Sequence, residues 1–521
     1  IVNSDGLIEE VPYNKLQYSN DFSNGVWVTG SYGNLPTLTA NSISNPLNGL
    51  VDAWLASFSA AGTQGRLLQV FTGLSVGIPY TYSMYIKAGT KTSVTIYSDT
   101  ASVGFNAVYN LSNGTITSMS SGVTATITAM TNGWYRLTLT SNIVSSGNGQ
   151  YGILTKAGED GSIYIYGAQL NSGSTAKTYY PTTTRLNIPR VDYLNNAKGS
   201  LLLESQRTNL FTYSSEFDNA AWGAPTNVIP NVITSPDGTQ NADNLIGLLS
   251  RNISFTAGVY ALSFFAKKNT SSTFTMRMDI GGIKRAYYNF DTQTTTNDGI
   301  SSTMEDYGNG WFKCTFTFNA ITATGVFYPN ESAANLYIYG AMLEAGSYST
   351  SYIPTSGTMV TRLQDACSAT GLSNTIGQTE GTLYSEFIVN GFTNFGTPLC
   401  INNGSTNESI WLTTFGNGDI RAEVFSVAGG GIQASFTKSG NTTGQIYKIA
   451  IGYAANNFAF YVNGTQVGTT DTSGVVPSGM SRIDYDYGNA TTFSKSALQI
   501  NQTQLYKTRL TNAELATLTT L

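Results

Sequence analysis

Two stretches of the sequence share one pattern: NKLQYSNDFSNGVW (residues 14–27) and NLFTYSSEFDNAAW (residues 209–222). Asn, Tyr, Ser, an acidic residue, Phe, Asn and Trp stand in the same order and at the same spacing in both. Self-similarity over a long separation is the signature of a repeated folding unit. The chain is therefore expected to contain two copies of one module.

Further blocks recur in the same order in both copies. They are YTYSMYIKAG (80–89) with YALSFFAKKN (260–269), NGWYRLTLT (132–140) with NGWFKCTFT (309–317), and IYIYGAQLNSGS (163–174) with LYIYGAMLEAGS (336–347). The separation between partners shrinks along the chain, so the second copy has lost residues between the blocks, where loops tolerate deletions. We predict that each block is one strand.

Side chains in the block IYIYGAQL alternate as they do on a half-buried strand. This alternation predicts Ile163, Ile165 and Gly167 on one face. It predicts Tyr164, Tyr166 and Ala168 on the other.

An Asn-Gly pair precedes Trp134 in the first copy and Trp311 in the second. Asn-Gly is the preferred pair for a tight hairpin turn. The indole that follows is large enough to anchor a sandwich core, and its alternative role is a platform for a ligand.

The composition favours strands over helices. Charged residues are 11% of the chain, and Gly, Tyr and Phe number 54, 32 and 24. An ordinary soluble domain has about 25% charged residues. Aromatic and β-branched residues suit a pleated, half-buried surface. The fold class is therefore expected to be all-β.

The pattern changes near residue 379. Strands are predicted in EGTLYSEFIV (380–389), ESIWLTTF (408–415), IRAEVFSV (420–427), QIYKIAIGYAANNFAFYVNGTQVGT (445–469) and ALQINQTQLYKTRLTNAEL (497–515). Asn463-Gly464 marks a hairpin turn. Thr511 and Glu514 fit a helix capping box, which predicts one short terminal helix.

These observations predict three β-sandwich (jelly-roll) domains in tandem with a short C-terminal helix. The expected bounds are a lead segment at 1–12, module 1 at 13–195, module 2 at 196–370 and a third domain at 371–521. The Pro-Thr segments 178–185 and 351–362 are interpreted as joints, and the stretch NNAKG in 190–210 as a turn between the modules. Whether residues precede Ile1 stays open.

Several classes of protein are disfavoured. The net charge of −5 and the lack of a basic stripe argue against nucleic-acid binding. No apolar run is long enough for a membrane helix, and the first residues do not have the order of a signal peptide. Cys314, Cys367 and Cys400 are too few and too scattered for a disulfide framework or a zinc site, and are interpreted as buried apolar residues.

Catalysis is also disfavoured, because histidine is absent from all 521 residues. This removes the commonest general base and the nucleophilic triads. A glycosidase would still need two facing carboxylates. Glu216-Phe-Asp218 is the nearest approach to a glucanase motif, and it has no third acid. The chain is predicted not to be an enzyme.

A structural calcium ion is one open possibility, at Asp484 and Asp486, and no other cofactor is expected. Residues two apart on a strand share one face, so these carboxylates repel unless a cation or solvent intervenes. The sequence does not match the EF-hand loop. A solvated acid pair is the alternative.

A glycan-binding surface needs an exposed aromatic ring beside polar groups. Trp411, Asp419 and Arg421 flank the turn Phe415-Gly-Asn-Gly418 and form the best candidate. The alternative for Trp411 is a place in the hydrophobic core.

The C-terminal motifs E-G-T-L-Y-x-E-F, K-I-A-I-x-Y, F-x-x-Y-V-N-G-x-x-V and L-Y-K-T-x-L-T-x-A-E-L resemble concanavalin A-like, laminin-G-like jelly rolls of phage structural proteins. The repeats, with L-L-L-E-S-Q-R-T-N-L, N-G-W and I-Y-G-A-x-L, are similar to carbohydrate-binding-like modules of phage tail and head fibres. The resemblance spans nearly the whole chain. It implies a virion component with sugar-binding folds, although a fold alone does not establish a ligand.

The first functional hypothesis is a fibre on the virion surface that adheres to host or environmental glycans. The family implies a homo-oligomer, a trimer, with other virion proteins and host cell-surface polysaccharide as partners. The charge and the lack of a long apolar run predict neither nucleic acid nor membrane as a partner. The alternatives are a structural capsid decoration or head fibre protein, and a polysaccharide depolymerase.

Overall fold

The computed structural model describes the chain except for residues 10–13, 29–32, 60–63, 72–78, 101–102, 143–148, 184–188, 393–394 and 486–496. The chain forms two compact units. One comprises Pro12–Asn187 with Thr355–Met359, and the other comprises Ile1–Val11, Ile188–Pro354 and Val360–Leu521. Antiparallel sheets dominate both units and the single α-helix described is short, so the all-β prediction is confirmed.

The first repeat is a sandwich of two sheets. Its strands are Thr37–Ser44 (β1), Val51–Phe58 (β2), Arg66–Phe71 (β3), Pro79–Ala88 (β4), Ser93–Thr100 (β5), Val103–Asn110 (β6), Thr115–Met119 (β7), Val123–Ala129 (β8), Trp134–Asn142 (β9), Gly149–Leu154 (β10) and Gly161–Ser172 (β11). One sheet has the order β1-β2-β11-β4-β9-β8 and the other β3-β10-β5-β6-β7. The core lies between them and includes Trp27, Tyr82 and Tyr109.

The second repeat has the same architecture. After three short strands, Arg190–Asp192 (β12), Ser200–Leu203 (β13) and Arg207–Asn209 (β14), come Val228–Ile233 (β15), Ala242–Leu245 (β16), Arg251–Phe255 (β17), Gly258–Lys268 (β18), Thr273–Asp279 (β19), Ile283–Asn289 (β20), Thr294–Asn297 (β21), Ser301–Asp306 (β22), Trp311–Ala320 (β23), Ala323–Tyr328 (β24) and Leu336–Ala345 (β25). The sheet orders, β15-β16-β25-β18-β23-β22 and β17-β24-β19-β20-β21, reproduce those of the first repeat strand for strand.

The C-terminal part is a third sandwich. Its elements are Val360–Arg362 (β26), Ser368–Ala369 (β27), Glu380–Gly391 (β28), Gly396–Asn402 (β29), Glu408–Thr414 (β30), Ile420–Ser426 (β31), Gly431–Lys438 (β32), Ile446–Ala454 (β33), Asn457–Val462 (β34), Thr465–Asp471 (β35), Arg482–Asp484 (β36), Ala497–Tyr506 (β37) and Asn512–Thr519 (α1). The sheet orders are β12-β13-β37-β28-β33-β34-β35 and β27-β36-β29-β30-β31-β32. Thus β12 and β13, from the segment between the repeats, lie on a sheet of the third sandwich. The domain bounds given above stay a prediction.

A buried asparagine opens each repeat and explains why the motif begins with Asn. The Nδ2 of Asn14 donates to the carbonyls of Ala168 and Tyr180 at 3.0 and 2.9 Å. Asn209 donates in the same way to Ala341 and Ile353 at 3.0 and 2.8 Å. A buried backbone carbonyl needs such a donor. The asparagine therefore fixes the chain entry against strand β11 or β25.

The alternation predicted in IYIYGAQL is wrong after Tyr166. The register of β11 against β4 shifts between Tyr166 and Gln169, and Ala168 lies in the core with Ile163 and Ile165. Gly167 has a φ of +59°, a left-handed conformation that glycine adopts without strain. The result is a β-bulge, which moves the following side chains to the opposite face.

Trp134 and Trp311 are buried, at 1% and 2% exposed, but outside the main sandwich cores. Trp134 packs with Tyr85, Tyr166 and Tyr179 in a separate small cluster. Trp311 packs in an equivalent cluster that includes Phe265. The indoles therefore anchor the returning Pro-Thr segments to the sheet, because those segments carry Tyr179 and its counterpart Tyr352.

Short-range predictions from the third sandwich are confirmed. Thr511 and Glu514 form the capping box of α1. Asn463 and Gly464 have φ values of 48° and 79° in the turn between β34 and β35. Of the three cysteines predicted to be buried, Cys314 of the second sandwich and Cys400 of the third are buried, whereas Cys367 is half-buried at the edge of the third core. In the part of the chain that is described, no helix has the length and apolar character needed to cross a bilayer.

Replacing Asn209 with Asp should destabilise the second sandwich by roughly 3 kcal/mol, because two buried carbonyls would lose their donor and face a carboxylate. Thermal unfolding followed by tryptophan fluorescence measures the effect. The control is Asn319→Asp at an exposed position of β23, with an expected change below about 0.5 kcal/mol. Equal effects of the two substitutions would contradict the role of the asparagine.

Candidate functional site

Trp411, the predicted glycan platform, lies on β30 and is 8% exposed. Its ring stacks on Phe425 with centroids 6.3 Å apart and planes inclined by 9°. Ile410 and Leu412, its neighbours on β30, lie in the core between the sheets, so Trp411 is on the opposite face. The indole is buried on that face, and its role in binding stays a prediction.

Asp419 and Arg421 are brought together beside the turn that joins β30 and β31. Asp419 accepts hydrogen bonds from Ser439 Oγ at 2.6 Å and from Arg421 at 3.0 Å. These bonds lower the pKa of the Asp419 carboxyl, and the bond from Ser439 has the largest effect. The Arg421 guanidinium lies 4.1 Å from the centroid of the Phe415 ring. The cluster is a compact charged patch in which the Asp419 carboxylate is already bonded to Ser439 and Arg421.

Asp484 is buried, and its carboxylate already accepts hydrogen bonds from other side chains. Its carboxylate accepts two bonds of 2.8 Å from Nε of Arg482 and one of 2.7 Å from Asn402. Asp486 lies outside the described residues. Among the residues described, no group of three or more His, Cys, Asp or Glu could hold a metal. The calcium site stays a prediction.

A cleft of about 390 Å³ lies within the second compact unit, and none of the predicted site residues lines it. One wall is the outer face of β22 and β23 in the second sandwich. The other includes Asn390 of β28, Thr443 and Gln499 of β37 in the third sandwich. Ligand pockets typically have volumes of about 300–1,000 Å³. The cleft is therefore large enough for a small ligand or for one or two rings of a larger one.

Three cross-strand pairs form the first wall. Ser301 of β22 lies opposite Thr317 of β23, Thr303 opposite Thr315, and Glu305 opposite Lys313. All six side chains line the cleft. Because strand residues two apart share a face, the wall presents a ladder of hydroxyls that ends in a charged pair.

Lys313 and Glu305 lie opposite each other, but the ammonium of Lys313 is bonded elsewhere. Lys313 donates from Nζ to the carbonyl of Thr350 at 2.6 Å. Glu305, its cross-strand partner, is exposed to the cleft. Although the side chain is open to the cleft, the surrounding walls reduce the solvation of its carboxyl and raise the pKa of Glu305, and the charge of Lys313 offsets part of that rise. Glu305 is thus an accessible hydrogen-bond acceptor.

Aromatic side chains form part of the lining. Tyr307 is half-buried and lines the cleft together with Phe265. The two rings meet edge to face, with centroids 5.0 Å apart and an angle of 76°. Tyr352 packs on Phe265 at 6.2 Å. This packing holds Tyr307 in place, with an apolar ring and a polar hydroxyl at the cleft.

A buried ion network fixes the walls. Arg190 is 2.9 Å from Glu204 and 2.5 Å from Asp365. Arg362 is 3.4 Å from Glu204. Glu204 also accepts from the backbone N–H of Ser351 at 2.9 Å, and Glu204 and Ser351 both line the cleft. Burial alone would raise the pKa of Glu204, but the charges of Arg362 and Arg190 outweigh it and hold that pKa far below its ordinary value.

Hydroxyls, one open carboxylate, amides and a tyrosine ring together suit a polyhydroxylated ligand. Hydroxyl side chains both donate and accept, so they can match sugar hydroxyls in several orientations. Sequence reasoning missed this cleft. The period-two order Ser301, Thr303, Glu305 was visible in the sequence, but nothing local indicated which residues lie across from it.

No protein-family model matches the sequence. No curated protein matches it either. Among solved structures, the CBM40 module of a Ruminococcus gnavus IT-sialidase bound to α2,3-sialyllactose is 16% identical, over 27% of this chain and 84% of that one, with a TM-score of 0.24.

Two further structures are similar at the same level. A heptameric SAP-like pentraxin from Limulus polyphemus is 15% identical, over 27% of this chain and 69% of that one, with a TM-score of 0.22. The botulinum neurotoxin serotype G binding domain is 13% identical, over 30% of this chain and 40% of that one, with a TM-score of 0.23. These values are too low to support an inference about function, which depends on this chain's own residues.

Trp411→Ala should lower the free energy of unfolding of the third sandwich by about 3 kcal/mol, because it empties a buried position. Arg421→Ala should change it by less than about 1 kcal/mol, since the Arg421 side chain is 32% exposed and its ion pair is partly solvated. Urea unfolding compares the two variants. A small effect of Trp411→Ala would contradict a structural role for the indole.

Glu204→Gln should destabilise the protein by roughly 3 kcal/mol at pH 7, because two buried guanidiniums lose a counter-charge. Because the pKa of Glu204 is lower in the folded protein than in the unfolded chain, its ionised form stabilises the fold at a pH above the unfolded pKa. This contribution to the free energy of unfolding is lost as the pH falls toward the folded pKa. The difference in melting temperature between wild type and variant should therefore shrink from pH 7 to pH 3. The control Glu423→Gln, at a partly exposed position, should show a small and constant difference.

Proposed function

We propose that this chain is a non-enzymatic fibre protein of a phage virion surface whose β-sandwich modules adhere to host or environmental glycans. The observation that carries the glycan-binding part of the proposal is the cleft between β22–β23 and the third sandwich, and the virion part rests on the resemblance of the sequence motifs. Its lining combines a hydroxyl ladder, an accessible carboxylate and a half-buried tyrosine.

Sugar recognition depends on hydrogen bonds to hydroxyls and on contact between an aromatic ring and the sugar's apolar C–H face. The ladder from Ser301 to Glu305 offers donors and acceptors at the strand spacing, and Tyr307 offers the ring. Asn390 and Gln499 supply amides from the opposite wall. The polar groups therefore converge on one enclosed volume, which is what orients a ligand.

The carboxylates of the cleft support binding without hydrolysis. Glycoside hydrolysis needs two carboxylates that are free to act on one bond. Glu204 is held by two arginines. Asp192 is 4% exposed and accepts from the backbone N–H of Val2 and from Gln499. Among the lining residues this leaves Glu305 as the exposed carboxylate.

The assembly proposed is a homo-oligomer, a trimer, that contacts other virion proteins at the particle surface. Single protein–sugar contacts are expected to be weak, and several copies displayed together raise the avidity through effective concentration. No cofactor is needed for this role, and calcium at Asp484 and Asp486 stays a separate proposal.

Binding of the fluorescently labelled protein to intact host bacteria tests the function, in comparison with cells stripped of capsule. Saturable binding that is lost with the capsule is expected. Thr303→Tyr, which fills the cleft, should weaken it at least tenfold. The matched control is Thr296→Tyr, on an exposed position of β21 in the same sandwich, and it should bind normally.

Two other outcomes would overturn the proposal in different ways. Absence of binding to any host cell would favour a structural capsid decoration or head fibre protein. Release of new reducing ends from purified capsule would show a depolymerase.

A further inference from the structure

Acidic side chains outnumber basic ones in the lining of the cleft. Three side-chain carboxylates, those of Asp192, Glu204 and Glu305, and the side-chain ammonium of Lys313 line the cleft. The amino group of Ile1 lies there as well and interacts electrostatically with Asp192 and Glu204. Glu204 is neutralised by Arg190 and Arg362. The balance among the other charged side chains therefore depends on Lys313, Asp192 and Glu305.

The ammonium of Lys313 is already hydrogen-bonded within the protein. It donates to the Thr350 carbonyl, and Thr350 in turn donates its N–H at 2.9 Å and its hydroxyl at 2.5 Å to Glu344. Glu344 is fully buried and interacts electrostatically with Lys313. The positive charge is thus held against a buried carboxylate behind the wall. The charge of Lys313 is therefore already compensated by Glu344 and would attract an acidic ligand only weakly.

We propose that the cleft accepts sugars that are neutral or carry an amino group, and that it excludes sugars with carboxylate or sulfate groups. This inference rests on the glycan-binding function proposed above. Glu305 is the residue that sets the preference, because its carboxylate is exposed to the cleft and lies at the end of the hydroxyl ladder.

The titration behaviour of neighbouring groups agrees with this charge balance. The pKa of Glu305 is raised mainly by burial, lowered in part by the charge of Lys313, and raised again by the negative charge of Asp192. The pKa of the Tyr307 phenol is raised mainly by burial, and also by Glu305, Asp192 and Glu204. The negative charges of Asp192 and Glu204 thus reach the place where Glu305 and Tyr307 line the cleft, and they would repel a further negative charge there.

Hydroxyl and ammonium groups of a sugar can both donate a hydrogen bond to Glu305. A hydrogen bond to an ionised carboxylate is roughly twice as strong as one between neutral groups. A sugar hydroxyl or ammonium that reaches Glu305 would form such a bond. A sugar carboxylate at the same position could not form this bond, because an ionised carboxylate only accepts hydrogen bonds and so does the ionised carboxylate of Glu305.

The test is binding of the full chain to a printed array in which each sialylated, uronate-containing or sulfated glycan stands beside its neutral parent, with glucosamine-containing glycans included. Wild-type protein should bind members of the neutral and amino classes, and at least tenfold less of each acidic partner. Glu305→Gln should weaken binding to the bound glycans at least tenfold. Asp218→Asn, an exposed position of the same sandwich, is the charge-matched control and should change nothing.

The outcomes separate the two proposals. If the protein binds acidic glycans as well as or better than their neutral parents, and Thr303→Tyr abolishes that binding, the cleft binds glycans but the charge selection is wrong. Wild-type affinities in Glu305→Gln would also overturn the role of Glu305. If no glycan of any class binds, the glycan-binding function fails and the selectivity fails with it.

Discussion

The second compact unit depends on four charged side chains that are almost completely buried. Arg190 of β12, Glu204 just after β13, and Arg362 and Asp365 around the end of β26 are each at most 5% exposed. A buried charge is costly unless an opposite charge and hydrogen bonds compensate it. Segments far apart in the sequence must therefore meet at this network.

This constraint explains how the second and third sandwiches come to share a cleft. Strands β12 and β13 belong to the sheet of the third sandwich, and Arg190 and Glu204 reach from them to the chain that leaves the second. Ser351 bonds to both. The cleft wall formed by residues 347–352 is consequently fixed relative to Gln499 and Asn390 on the other side. A preformed site of this kind binds without first having to order its walls.

The repeated modules show how one scaffold supports such a surface. The buried asparagines Asn14 and Asn209, and the glycine bulges at Gly167 and Gly340, fix the sheets in the same way in both copies. The outer faces are less constrained, since their side chains do not pack into the core. In the second repeat that freedom is used by Ser301, Thr303 and Glu305 to form a polar wall.

The sequence by itself determined the local features. The shared blocks predicted the repeated strands, Asn463-Gly464 predicted its turn, and Thr511 with Glu514 predicted the helix start, because each depends on neighbouring residues. Only the tertiary structure decided that Ala168 faces the core, that Trp311 lies outside it, and that Glu305 faces a cleft. The physical reason is that a bulge, a returning segment and an opposing wall are set by pairing between residues far apart, for which no local pattern exists.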